Sequence, residues 1–138
     1  MSAQDNAKLV QAIVDGFNAR DYSPFTAAAA DSIEVQDLPR SITHHGPAGF
    51  RQFTEDLHSV FPDTRITVTN LQATDRQVTL EFSCNGTNTG AFGLIPATGK
   101  GVRMDFVNIY EFSDGKISKV RTYYDGLTFS RQLGLRFS

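Results

Sequence analysis

Between residues 9 and 17 the apolar side chains recur at helical intervals. Leu9, Val10, Ile13, Val14 and Phe17 share one face, and Asp5, Lys8, Gln11 and Asp15 lie off it. The pattern predicts an amphipathic helix, with Asp5 as its N-cap and its end at Asn18-Ala19-Arg20-Asp21. A short second helix is expected over 23–30, with Pro24 in its first turn. The period then changes to two. In 32–38, Ile33, Val35 and Asp37 fall on one side and Glu34 and Gln36 on the other, which reads as a strand ended by Pro39. Gly46-Pro47 opens a third helix whose apolar side is Phe50, Phe53, Leu57 and Phe61, and Pro62 stops it. From there on alternation dominates, with strands expected over 65–71, 77–89, 102–112 and 117–125. The turn Ser113-Asp114-Gly115-Lys116 joins the last two as a hairpin, and a loop with Gly93, Pro96, Gly99 and Gly101 precedes them. The tail, 126–138, is expected to pack Leu133 and Leu135 down as a short helix or strand.

This order gives an α+β layer fold: helices on one side of a curved antiparallel or mixed sheet, with the concave side as a natural ligand pocket. No repeat or linker divides the chain, so residues 1–138 are expected to form a single domain.

Eleven Phe and four Tyr supply bulky lining for such a pocket. The 13 Lys and Arg are scattered and the net charge is −2, so nucleic acid is not an expected partner. No charged-then-apolar leader and no bilayer-length apolar run occur, so a cytoplasmic protein without a membrane partner is expected. The single cysteine, Cys84, lies in a strand pattern and reads as a small core residue in a reducing compartment. The only histidines are His44, His45 and His58, and metal-ligand spacing is absent.

Several segments carry a family resemblance. Gly46-Pro47-Ala48-Gly49-Phe50 with Val60-Phe61-Pro62-Asp63, Gly86-Thr87-Asn88-Thr89-Gly90 with Pro96-Ala97-Thr98-Gly99-Lys100, the turn Asp114-Gly115-Lys116-Ile117, and Asp125 with Gln132-Leu133-Gly134 follow one another over about residues 6 to 135. In this order they resemble the SnoaL-like polyketide cyclases of the NTF2-like superfamily. The resemblance implies an NTF2-like cone, a homodimer, and cofactor-free, metal-free acid–base chemistry on an enolisable substrate with an aspartate as the key group. Asn88 stands where that family usually has His, and Lys119-Val120-Arg121 replaces its frequent Glu-His-Trp. Ketosteroid isomerases, relatives on the same fold, place their base Asp in a strand similar to that of Asp37. Their helix-borne Tyr donor corresponds to Ile13 here.

Aldol closure or isomerisation needs a base for an acidic C–H and a donor for the enolate oxygen. A carboxylate among apolar groups suits the first task. Three candidates follow. Asp125, at the end of the last strand, matches the family's closing Asp; its plain alternative is to cap the turn at Gly126. Asp37 shares the inward face of Ile33 and Val35; its alternative is a turn residue before Pro39. Asp105 faces outward on strict alternation with Arg103, unless a β-bulge turns it inward.

Asn108, on the face of Met104, Phe106 and Tyr110, and Asn88, continuing the face of Val78, Leu80 and Phe82, can bind a substrate oxygen or satisfy the backbone. His44 and His45 are expected in a loop at the pocket mouth, and His58 at the surface. Phe50, Phe82, Phe106 and Tyr124 are expected to form the apolar wall or ordinary core.

Three readings of function remain open. One is a cofactor-free cyclase or isomerase acting on an apolar enolisable molecule. A second is a non-catalytic small-molecule binder, and a third is a protein–protein module. Epoxide hydrolysis by an Asp–Arg–Asp set, drawing on Arg103 and Asp105, is a lesser enzymatic alternative.

Overall fold

The N-terminal amphipathic stretch forms α1, Ala3–Ala19, and buries Val10, Ile13, Val14 and Phe17. Its N-cap is Ser2 rather than Asp5. Asp5 sits three residues on and completes a reciprocal capping box, so the acidic residue serves the first turn from inside it. Arg20 closes the helix in the left-handed conformation. Two asparagines then pin α1 to the sheet edge: Asn6 Nδ2 donates to Thr74 O (3.1 Å), and Asn18 exchanges two hydrogen bonds with the Ile66 backbone. The computed structural model describes residues 2–91 and 95–135, so Gly93 lies outside the described residues.

The second helix, α2, is Ser23–Ala28, shorter than its alanine run suggests. Ala29 and Ala30 instead begin β1, Ala29–Asp37, because pairing with the last strand starts at Ala29. β2, Ile42–His45, was not anticipated. It pairs antiparallel with the end of β1, so His44 and His45 lie in a strand and not in a loop. Three exposed residues and the half-buried His44 give no periodic signal. α3, Gly46–Val60, follows as expected. The remaining strands are β3 (Arg65–Ala73), β4 (Gln77–Thr87), β5 (Gly101–Ser113) and β6 (Lys116–Tyr124), and α4 is Gly126–Gln132. The turn between β5 and β6 places Asp114 at φ 52° and Gly115 at φ 75°, the positive pair that a tight hairpin needs.

The six strands form one curved sheet in the order β2-β1-β6-β5-β4-β3. All neighbours are antiparallel except β1 and β6, which run parallel, so the sheet is mixed. Helices α1, α2 and α3 fill the concave side. A large cluster buries Val10, Ile13, Phe17, Ile33, Val35, Phe50, Leu80 and Ile117, and Val60, Phe61, Val102, Met104 and Leu133 form a second one toward α4. The cavity described below lies between the two. Among the described residues no helix is long and apolar enough to cross a membrane.

Candidate functional site

A cavity of about 110 Å³ opens between the concave face of the sheet and helices α1 and α3. A single water needs only about 10–15 Å³ by this measure, so the space admits a small organic molecule. Apolar side chains from every layer build most of the wall: Ile13 and Phe17 from α1, Phe50 and Leu57 from α3, and Phe82 and Phe106 from β4 and β5. The rings of Phe82 and Phe106 stack in parallel with centroids 5.1 Å apart, and Tyr124 leans on Phe106 at 5.0 Å.

One buried carboxylate stands in this wall, Asp37; Asp56 of α3, the other acid among the lining residues, is half-buried. The alternation of β1 that buries Ile33 and Val35 also turns Asp37 inward, where it is 1% exposed. The chain reverses just after it, so Arg40 folds back: its backbone N–H donates to Asp37 Oδ1 (3.3 Å) and its Nε to Oδ2 (2.5 Å). From β6, the Tyr124 hydroxyl donates to both carboxylate oxygens, at 3.0 and 3.1 Å. Burial first, and then the facing Asp37, push the Tyr124 phenol well above its usual range, so it stays a donor. Two oxygens offer about four lone-pair sites. Three protons serve these sites, with that of Tyr124 shared between the two oxygens.

Asn108, Tyr110 and Thr122 bring further polar groups to the same cavity. Thr122 is the register partner of both Asp37 on β1 and Asn108 on β5, so carboxylate and amide share one row across three strands.

The model of the SnoaL-like polyketide cyclase family matches residues 7–133. The chain belongs to this family. Solved structures agree in fold. A proposed SnoaL-like polyketide cyclase from Jannaschia sp. CCS1 is similar at a TM-score of 0.87 with 16% identity, covering 98% of this chain and 95% of that one. AclR, a proposed hydroxylase from Streptomyces galilaeus, gives 0.80 with 22% identity over 97% and 98%. A proposed polyketide cyclase from Xanthomonas campestris pv. campestris gives 0.79 with 25% identity over 95% and 98%. No curated protein matches the chain.

The family's segments sit at distinct places in the fold. Asp125, which matches the family's closing Asp, does not reach the cavity. It is the exposed N-cap of α4, accepting from the backbone N–H of Leu127 and Thr128 and from the Thr128 hydroxyl (2.7 Å). Those bonds, the Thr128 hydroxyl first, hold its carboxyl below the usual carboxylate range. The Asp125→Asn variant, which keeps a good capping group, is expected to turn over any substrate at the wild-type rate, and a side-by-side rate measurement checks this.

Asp105 is likewise outside. β5 pairs with β4 in unbroken register through Ser83 and Asp105, so no bulge inverts it; its side chain is 78% exposed and lies 3.7 Å from Arg103. Both groups of the Asp–Arg pair considered for epoxide hydrolysis are therefore on the surface.

Of the two roles open to it, Asn88 takes the backbone one. It lies just past the end of β4, fully buried but away from the cavity. Its Nδ2 donates to Gly90 O (2.8 Å), and its Oδ1 accepts from the Thr98 backbone (3.0 Å) and hydroxyl (2.7 Å). It clamps the base of the loop that carries Ile95 to the cavity wall. Arg121, in the second divergent segment, pairs with Glu111 on the neighbouring strand.

His45 is exposed as the N-cap residue of α3, and His44 packs edge-on against Phe53 at 5.4 Å; neither lines the cavity. Phe50, Phe82, Phe106 and Tyr124 do line it, as does Asn108. Cys84 is buried, and burial pushes its thiol up to about 12, in keeping with an inert core residue. Among the described residues no group of three or more His, Cys, Asp or Glu is placed to hold a metal ion.

His58 is buried rather than at the surface. It is 8% exposed, 4.2 Å from the Phe17 ring and hydrogen-bonded through Nδ1 to the Tyr22 hydroxyl (2.7 Å). Its place opposite the phenylalanines of α3 points it at α1 and α2, so both sides of this helix are covered. Desolvation first, and Arg20 second, lower its pKa from 6.5 to about 4. The folded state therefore favours the neutral ring. Its contribution is complete above pH 6.5 and is lost as pH falls toward 4. At pH 4.5 the ring is not yet fully charged in the folded state, so the loss between pH 7 and pH 4.5 is on the order of 2 kcal/mol, below the full equivalent of the shift. Urea unfolding at pH 7 and pH 4.5 is expected to show this loss in the wild type and a smaller one in His58→Gln.

Proposed function

We propose that the chain is a cofactor-free acid–base enzyme of the cyclase or isomerase type. It takes an apolar, enolisable small molecule into the cone, and Asp37 removes the acidic proton. The observation that carries this reading is the placement of Asp37. It is a 1%-exposed carboxylate in a mostly apolar wall, oriented by Tyr124 and Arg40.

In the step proposed, a C–H bond of the substrate breaks and its proton passes to an Asp37 oxygen. The electron pair moves to the substrate's carbonyl oxygen as an enolate. The enolate carbon then attacks a second carbonyl of the same molecule, closing a ring as the new alkoxide takes the proton back from Asp37, or it takes that proton back at another carbon, giving an isomer. Arg40 supplies positive charge beside the carboxylate throughout. A buried, prepositioned acceptor of this kind supplies about 10²- to 10⁴-fold in rate.

Proton exchange at the α-carbon of a small apolar ketone tests the proposal without knowledge of the natural substrate. In heavy water, 2-tetralone is expected to exchange its α-protons faster with the protein than with buffer alone. The absence of acceleration in the presence of saturable binding would favour the second reading, a small-molecule binder. That reading has its own support, since Arg40 and Tyr124 already engage both oxygens of Asp37.

A further inference from the structure

The cavity holds a second polar station, built as a chain of hydrogen bonds. The Thr122 hydroxyl donates to Asn108 Oδ1, and Asn108 Nδ2 donates to the Tyr110 hydroxyl oxygen at 3.1 Å. All three residues line the cavity. Tyr110 is 3% exposed and stands on the concave face of β5 between its register partners Val78 and Val120.

The chain has a direction, and its end is unpaired. The amide accepts at one end and donates at the other. The Tyr110 oxygen therefore receives a proton, and its own O–H meets no acceptor among the described residues. Buried hydroxyls are rarely left so, because the donor has given up water without replacement. Donation from Asn108 also polarises the phenol and strengthens it as a donor toward a third group. Burial holds the Tyr110 phenol up at about 12, so the proton stays in place at neutral pH. Tyr110 lines the cavity, where a ligand oxygen can meet that proton.

We infer that the Tyr110 hydroxyl is the donor that binds the substrate's carbonyl oxygen, so the ligand class is an apolar ketone held with its oxygen at Tyr110 and its acidic C–H at Asp37. This rests on the reading of Asp37 as proton acceptor. The register supports joint action, since Thr122 at the head of the chain pairs directly with Asp37 across β1 and β6. When the C–H bond breaks and its electron pair reaches the carbonyl oxygen, the hydrogen bond from Tyr110 strengthens as charge develops there. No proton need leave Tyr110.

The test uses 2-tetralone labelled at the carbonyl carbon, with the intact protein. In the wild type the bound carbonyl resonance is expected downfield of the free ligand, as a hydrogen-bonded carbonyl requires. In Tyr110→Phe, which keeps the ring and its packing, that displacement should vanish and Kd should rise about tenfold. An unchanged unfolding midpoint excludes a packing defect. Asp37→Asn should keep the displaced resonance and lose α-proton exchange. Loss of the displacement in Tyr110→Phe with exchange intact in Asp37→Asn would sustain the donor and defeat the base. An unchanged resonance in Tyr110→Phe overturns the inference. So does its loss in Thr122→Val alone, which would mean that the amide is turned and Thr122 holds the free proton. Failure of the wild type to bind the ketone saturably overturns the ligand class.

Discussion

Replacing Asp37 with Asn is expected to lower the α-proton exchange rate by about 10²- to 10⁴-fold while leaving ligand affinity close to that of the wild type. The amide has nearly the same shape, so the cavity and its apolar wall survive. What it loses is the capacity to take a proton. The change also removes the partner of Arg40, but that side chain is 38% exposed and can turn to water, so the cost of an unpaired buried cation is largely avoided. The effect should therefore fall on the rate at saturation and hardly on KM, the pattern of an interaction needed in the chemical step. Asp105→Asn is the matched control. Its carboxylate lies on the outer surface, so its exchange rate should equal that of the wild type. A loss of rate in both variants would mean that the Asp37 effect is not local.

The largest expected effect on stability comes from a residue that takes no part in the chemistry. Asn88→Ala empties a fully buried place and leaves the part-buried Gly90 carbonyl, Thr98 backbone N–H and Thr98 hydroxyl without their partners. An orphaned buried polar group costs about 1–3 kcal/mol; with three groups orphaned but each reachable in part by water, the variant should lose about 2–3 kcal/mol. A domain has only about 5–15 kcal/mol to lose. The backbone cannot close the gap: Gly90 is already so near α3 that a Cβ on it would fall 1.8 Å from Ser59 O. Asn88→Asp should be no rescue: it still accepts from Thr98, but it sets a buried carboxylate oxygen against the Gly90 carbonyl. Urea midpoints for the three proteins check this, with both variants below the wild type. Ile95, on the clamped loop, is part of the cavity wall, so weaker ligand binding should accompany the loss of stability.

Periodicity made most of the fold legible. The helical spacing from Leu9 to Phe17 and the alternation of β4, β5 and β6 mark faces that are buried on one side only, and such faces leave a strong pattern. β2 left none, since an edge strand of four residues with no buried side needs no alternation. Asp37 was legible for the same reason as the fold: it sits in phase with Ile33 and Val35. Asp125 was misleading because a strand-end Asp before Gly126 fits a catalytic group and a helix cap equally well, and only the position of α4 decides between them.

Arg40 and Tyr110 were missed as site residues. Arg40 reaches Asp37 through a chain reversal, which places residues by turn geometry and not by period. Tyr110 looks like one more aromatic in a buried face. Its role emerges only from counting which hydroxyl proton lacks an acceptor. The composition of β5 did carry a hint, since Asn108 and Tyr110 are the polar pair in the inward series Met104, Phe106, Asn108, Tyr110.

The most direct measurement is a crystal structure of the protein soaked with 2-tetralone. The account predicts the ketone inside the cone, with its α-carbon within about 3.5 Å of an Asp37 oxygen, the approach that proton transfer requires. A ketone seated on the outer face beside Asp105 and Asp125, or inside the cone with Arg40 and Tyr124 shielding Asp37 from it, would contradict the account.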